Sequence, residues 1–443
     1  MSVVTRWERV GLHTHIKGLG VIDGKAKFVA QGMVGQIKAR EAAYIVTRMI
    51  KKGKMAGRAI LLVGPPGTGK TAIAVGIARE LGKDVPFISM SASEIYSTEL
   101  KKTEILMRAL RKAIGVRIKD IREVIEGEVK HLEFKMAPHP YNPYQQIPQS
   151  VRVRLATKDE EKTFTAGMEV AMAFIEQGVR EGDVIMIDKE TGRVTRLGRS
   201  KSAKGMYDIE GEVYVDVPSG SLIKEREFVY VMTLHELDMR RARGGSLLSL
   251  LFASETKEIS SDVRNEVDEM VKNMVEEGRA EIIPGVLFID EVHMLDIESF
   301  AFLNRALESE MAPIIIFATN RGFAKIRGTD IVSPHGIPLD LLDRLLIIIT
   351  EPYNRDEMRE IIKIRIKEER LSITDDAVER LVDLAEKNSL RYSIMLLGPI
   401  KEITEISGKD KAGIEEVERA ASLFVDYKAS SKHIKEYEKL YLP

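Results

Sequence analysis

The chain has no cysteine in 443 residues, which excludes disulfides, cysteine nucleophiles and cysteine-ligated zinc. It has almost no net charge, since 67 basic side chains against 68 acidic ones leave −1. No global pull toward nucleic acid or a membrane surface follows, so any such contact must come from a local patch. Aromatic residues make up only 6%, which leaves few platforms on which bases could stack. No stretch approaches 18 apolar residues free of charge, and Met1 to Gly11 holds no apolar signal core. A membrane partner is therefore not expected, and a cytoplasmic location is. Glutamine is scarce while Lys, Glu, Arg and Ile are abundant, a balance that leans toward a thermophilic source. What remains, 44% hydrophobic and 30% charged, is the composition of a globular chain long enough for two or three domains.

The strongest local signal is residues 59–71, Ala-Ile-Leu-Leu-Val-Gly-Pro-Pro-Gly-Thr-Gly-Lys-Thr. An apolar strand, Ile60 to Val63, enters a glycine-rich loop, and a helical stretch, Ala72 to Leu81, leaves it. Glycine, four residues, then Gly-Lys-Thr is the spacing of a phosphate-binding P-loop. The glycines let successive N–H groups face one concavity, and the helix points its positive end at the same place. Lys70 is placed to reach the β- and γ-phosphates of a nucleotide, and Thr71 to hold a magnesium ion.

Before this motif, His13-Thr-His15 has the look of a metal pair, but no third ligand lies nearby in the sequence, and a loop role is favoured. Gln31-Gly-Met-Val-Gly35 reads as a turn and Gln36 to about Lys52 as a helix. After it, Val85 to Met90 reads as a strand and Glu94 to Ile114 as a helix. From about Glu126 to Val231 the pattern becomes period-two, as in Val151-Arg-Val-Arg-Leu155, Val184 to Asp188, Val194 to Leu197, Val213 to Val215 and Phe228 to Val231. Short alternating runs with turns between them predict a small barrel or sandwich, interrupted by one helix at about Ala166 to Gln177. Residues 246–280 return to helical texture.

Gly285-Val-Leu-Phe-Ile-Asp-Glu291 is an apolar run ending in two acids. It predicts a buried parallel strand with Asp290 and Glu291 at the sheet edge where ligands bind. Asp290 would hold magnesium and Glu291 would polarise the attacking water. Lys70 and Asp290 stand about 220 positions apart, whereas two βα units need about 60. A module of about 165 residues therefore interrupts one nucleotide-binding domain, and both halves are needed for one site. Ile314 to Asn320 is a further buried strand whose terminal Asn320 either orients water or caps a turn. Pro338 to Arg344 is an amphipathic turn ending in a lone arginine, with Asp340 and Asp343 as its near partners. Arg355 to Tyr427 is helical throughout, with Leu390-Arg-Tyr392 starting one helix, and the charged tail from Ser430 is expected to fray.

This order of motifs resembles that of AAA+ ATPases. Longer segments resemble the RuvB-like branch of that class, known in eukaryotes as pontin and reptin. They are His13 to Gly20, Lys54 to Ala59, Tyr96 to Glu104, Asp290 to Asp296 and Ser333 to Arg344. The resemblance covers nearly the whole chain and, with the composition, suggests an archaeal member. It implies an α/β fold: a P-loop AAA+ doubly wound parallel sheet with an inserted OB-like β-barrel domain and a C-terminal helical lid domain. The implied divisions are 1–118 and 284–352 for the core, 119–283 for the insert with its helical stalk, and 353–443 for the lid. It further implies a homo-hexameric ring, sometimes doubled. ATP or ADP would bind with Mg²⁺ at Gly64, Pro65, Pro66, Gly67, Thr68, Gly69, Lys70 and Thr71, and Asp290 would share the metal with Thr71. Glu291 would be the catalytic base, Asn320 the first sensor, Arg391 the second sensor reaching the γ-phosphate from the lid, and Arg344 an arginine finger acting on a neighbour's ATP. His13 and His15 would gate the nucleotide, and Met33, Val34 and Tyr353 would wall the adenine.

Two readings of the motor's client stay open. Arg193, Arg196, Arg199, Lys201 and Lys204 in the insert suit single- or double-stranded nucleic acid, hence a DNA helicase or translocase, with Tyr207, Tyr214 and Phe228 as the aromatic candidates. Neutral charge and few aromatics suit an ATP-switched assembly chaperone with protein clients.

Overall fold

The computed structural model describes residues 15–55, 57–82, 84–139, 142–201, 213–242 and 258–437. They fall into two compact units, one within Met1–Val116, Val231–Asn273 and Ile282–Pro443, the other within Arg117–Tyr230 and Met274–Glu281. His13, Lys204, Tyr207 and the stretch 246–257 lie outside the described residues.

The first unit is built on a parallel sheet of five strands, ordered Leu345–Ile349, Ala59–Val63, Ile314–Thr319, Val286–Asp290, Phe87–Ser91. Its central strands are apolar on both faces because both faces are covered. Ile60, Leu62, Phe288 and Ile316 pack with Ile73 and Ile77 of the helix Lys70–Leu81 and with Val46 of the helix Ile37–Lys51. Leu61, Leu287, Ile289 and Phe317 turn to the other side, against Leu106 and the helix Ile297–Ala306. One alternation along each strand thus fills two cores. Since every strand runs the same way, the loop after Val63, the acid pair after Ile289 and Asn320 emerge at one edge.

The lid has its own core, in which the helix Asp375–Lys387 buries Val378, Leu381 and Val382 against Leu397 and Ile400. The lid's first helix, Arg355–Glu368, opens with a capping box: Asn354 Oδ1 accepts from Glu357 N at 2.9 Å, and Glu357 Oε2 accepts from Asn354 N at 2.8 Å. The last helix, Tyr427–Tyr437, runs beyond Ser430, where fraying is the sequence expectation.

The predicted helix from Glu94 to Ile114 is two pieces, a single turn at Ala92–Ile95 and a helix at Lys102–Lys112. Ser91 and Glu94 close a capping box that starts the first piece, and after it Ser97 Oγ accepts from Glu99 N at 3.1 Å, which turns the backbone away from a helical path. The helix Lys102–Lys112 is held by ions. Arg111 donates to both oxygens of the fully buried Asp238, at 2.5 and 2.6 Å, and to Asp268 at 2.8 Å, while Arg264 donates to Glu104 at 2.7 Å.

In the second unit the long strand Ile114–His139 pairs antiparallel with Asn142–Ala156 and Asp183–Asp188, and the sheet continues to Glu161–Gly167 on one side and Val194–Ser200 and Tyr214–Val215 on the other. Three register shifts along Ile114–His139 bend it, as bulges do in curled sheets. Val151, Val153 and Leu155 are buried while Arg152 and Arg154 between them are exposed. The helix Met168–Glu176 adds Ala171 and Phe174 to that buried face. This mixed sheet fits the OB-like insert of the expected fold.

Candidate active site

The P-loop owes its shape to its glycines. Gly67 (φ 79°) and Gly69 (φ 82°) lie in the left-handed region, and a side chain at Gly69 would strike the Tyr353 hydroxyl. Thr68 is buried beneath the loop, its Oγ1 donating to Pro65 O at 2.9 Å and sharing a 2.6 Å bond with Thr350 Oγ1. Gly64 N donates to Thr319 O at 3.3 Å, which ties the loop to the neighbouring strand. Lys70 Nζ folds back on the loop, donating to Gly64 O and Pro65 O at 2.8 Å each. Burial holds the Lys70 ammonium below its ordinary pKa; Asp290 opposes that shift and Arg391 adds to it. Three charges from three distant stretches are therefore close enough to act on one another.

They border a cavity of about 680 Å³, lined in part by Pro66, Gly67, Gly69, Lys70, Thr71, Asp290, Glu291, Asn320 and Arg391. Its other wall is apolar and includes Met33, Val34 and Tyr353. His15 also borders it, its ring held below the usual imidazole range by burial and by Arg365, against Glu368. Burial pushes the Tyr353 phenol up. Of the residues singled out in the sequence, Gly64, Pro65 and Thr68 support the loop from behind rather than line the cavity. Arg344 does not line it either. It donates from Nη1 to Glu308 Oε1 at 2.6 Å, in place of the Asp340 or Asp343 partner.

The acid pair is held in an uncommon backbone. Glu291 has φ 54°, a left-handed conformation for a non-glycine residue, and its N–H donates to Asp290 Oδ1 at 2.8 Å. Ser91 lies opposite Asp290 in the sheet register and donates from Oγ to Glu291 Oε2 at 3.4 Å. His293 Nδ1 meets Thr319 Oγ1 at 3.3 Å, linking the turn after Glu291 to the strand that presents Asn320.

Ser91, His293, Ile16, Ile361, Ile364 and Arg365 are absent from the sequence-based set. Only strand pairing brings Ser91 beside Glu291. Ile361 and Ile364 carry a faint signal, an i,i+3 apolar pair beside the core positions Met358, Ile362 and Ile366 of the same helix.

The cavity fits a nucleotide. Its size is within the range of about 300–1,000 Å³ usual for small-molecule sites, with an apolar wall for a base and a charged floor for phosphates. Thr71 and Asp290 offer the hard oxygen donors that magnesium takes, one or two from protein and the rest from phosphate and water. A backbone cradle, a lysine, an acid pair and a lid arginine around one cavity are the means by which P-loop nucleoside triphosphatases of the AAA+ type work. Family models agree: a TIP49 P-loop domain matches residues 9–356, and a TIP49 AAA-lid domain matches residues 361–426. The chain belongs to the TIP49 family, the RuvB-like group of pontin and reptin, and it is an AAA+ ATPase.

In the second unit two of the basic residues singled out in the sequence pair with carboxylates. Arg196 grips the buried Asp183 with two bonds, at 2.8 and 2.9 Å, and Lys201 pairs with Asp216 at 3.0 Å. Phe228 lies under the Arg122 guanidinium, 5.9 Å from its ring centre. No helix among the described residues is long and apolar enough to cross a membrane.

Proposed function

We propose that this chain assembles into a homo-hexameric ring, single or doubled, that couples ATP hydrolysis to remodelling of nucleic acid or nucleoprotein complexes, with DNA unwinding as the expected activity. The proposed divisions are a core of 1–118 and 284–352, an insert of 119–283 and a lid of 353–443. The observation that carries the reading is a split. Lys70, Asp290, Glu291, Asn320 and Arg391 line one cavity, whereas Arg344 does not. A site with every part except its arginine finger is completed by a neighbour's Arg344, which makes turnover depend on the ring.

In that reading Glu291 polarises the lytic water, held in its left-handed turn and by Ser91, and Asn320 orients the same water. Lys70 leaves the loop carbonyls for the β- and γ-phosphates, and Arg391 meets the γ-phosphate from the lid. Thr71 and Asp290 hold magnesium, which when bound spreads phosphate charge. Met33, Val34 and Tyr353 wall the adenine, and His13 and His15 gate it. Composition supports a thermophilic source and, together with the family resemblance, an archaeal one; the proposed location is the cytoplasm.

A second reading, an ATP-switched assembly chaperone with protein clients, is favoured by one observation: Arg196 and Lys201, two of the insert's basic residues, are already bound to carboxylates. The nucleic-acid reading needs the patch to be supplied by basic residues beyond these two. ATPase rate with and without single-stranded DNA, together with DNA binding by the full chain across a salt series, decides between them. Stimulated turnover with a steep loss of binding in salt supports nucleic acid. Unchanged turnover and no binding at low salt overturn it in favour of protein clients.

A further inference from the structure

Residues 15–35 fold over the nucleotide cavity as two small hairpins, Val21–Ile22 with Lys25–Ala26 and Val29–Ala30 with Met33–Val34. Such short strands have little stability of their own. They are stapled from beneath by Arg40, which is fully buried and spends its guanidinium on backbone carbonyls: Leu19 O and Lys27 O at 2.7 Å, Gly35 O at 2.9 Å and Gly20 O at 3.0 Å. Four of its five N–H groups are thereby used to fix one flap. Leu19 N also donates to Glu80 Oε1, on the helix that follows the P-loop, at 3.1 Å.

The flap's last residues meet the strap into the lid. Gln36 is buried and left-handed (φ 48°). It uses both ends of its amide on one residue 315 positions away: Nε2 donates to Glu351 O at 2.5 Å, and Oε1 accepts from Glu351 N at 3.2 Å. Glu351 follows Thr350, which is bonded to Val63 O and to Thr68 beneath the P-loop, and it comes two residues before Tyr353 in the cavity wall. Gly35 lies so close to Glu357 on the lid's first helix that a Cβ would collide with that carboxylate. The Gln36 pair therefore joins the end of the flap to the strap.

We infer that Gln36 is a positioning residue, a latch that couples the flap over the nucleotide to the strap entering the lid and so sets how fast nucleotide leaves. Gln36 does not line the cavity, and its side-chain bonds go to Glu351, so its effect falls on release rather than on the bond that breaks. The inference rests on the nucleotide reading of the cavity.

The test is displacement of a fluorescent N-methylanthraniloyl-ADP from the full chain by excess ADP in stopped flow, for wild type, Gln36→Ala and Gln36→Glu. Two lost hydrogen bonds predict a dissociation rate raised about tenfold in Gln36→Ala. Gln36→Glu, which sets a carboxylate against the Glu351 carbonyl, goes further. Single-turnover hydrolysis of pre-bound ATP stays within about twofold of wild type, because the coupling acts on release. A dissociation rate unchanged in both variants overturns the latch. Loss of hydrolysis and of melting temperature in step with release also overturns it, since that is the signature of a merely structural role. Failure of wild type to retain the probe sinks the nucleotide reading itself, an outcome distinct from either.

Discussion

The cavity of the first unit and the sheet of the second treat charge in opposite ways. In the first, Asp290, Glu291 and Arg391 border a cavity and, among the described residues, none of them is in a salt bridge. In the second, charges are matched inside the fold. Arg196 takes the buried Asp183, Arg226 takes Glu126 at 2.6 Å, and Arg122 takes Asp120 and Asp188 at 2.7 and 2.9 Å. A charge left unmatched beside a cavity is available to a ligand, and its desolvation is offset when the ligand arrives. A charge already matched to a buried acid serves the fold first. The cluster of basic residues in the insert reads as a nucleic-acid patch in one dimension. In three, part of it is the sheet's own electrostatic staple.

The largest effect that would sharpen this contrast is at Arg344. Arg344→Ala should lower turnover by about a thousandfold while leaving nucleotide binding intact. Mixing it with Lys70→Ala subunits should partly restore turnover. No rescue in mixed rings shown to form would break the claim that the site is completed in trans. Next, Glu291→Gln should bind ATP yet hydrolyse it at least about a hundredfold more slowly, measured by phosphate release. Full activity there would remove the acid pair from the chemistry.

Arg196→Ala should act on stability, lowering it by about 2 kcal/mol in denaturant melts because Asp183 is left buried without its partner. A loss of nucleic-acid affinity without a loss of stability would reverse the reading of that residue. The smallest effect is one of pH. Burial, with Lys112, Arg108 and Arg264 nearby, holds His235 at about 4 against an ordinary 6.5. The unfolded chain therefore takes up this proton first, and stability falls as pH drops from 6.5 toward 4, then levels off. His235→Gln should lose less melting temperature than wild type between about pH 7 and about pH 5. An equal loss would show that other groups govern the window.

The P-loop and acid pair are legible in the chain because their chemistry needs particular residue types within a few positions, and because apolar strands announce themselves by burial on both faces. The insert is legible as a change from period 3.6 to period two, and as excess length between Lys70 and Asp290. Ser91 and Gln36 are not legible, since each acts on a residue 200 or 315 positions away through strand pairing or a single amide. The break between Ile95 and Lys102 is likewise marked by Ser97 acting on nearby backbone, which apolar periodicity does not register.

By itself, then, the sequence determined the phosphate cradle, the acids and the sheet that presents them, because local spacing and hydrophobic pattern encode both. Which charges remain open to a ligand, which arginine stays outside the cavity and what clamps the flap to the lid were decided only by the tertiary structure. Those are relations between residues far apart in the chain, fixed by the parallel register of five strands and by buried polar groups that must find partners wherever packing puts them.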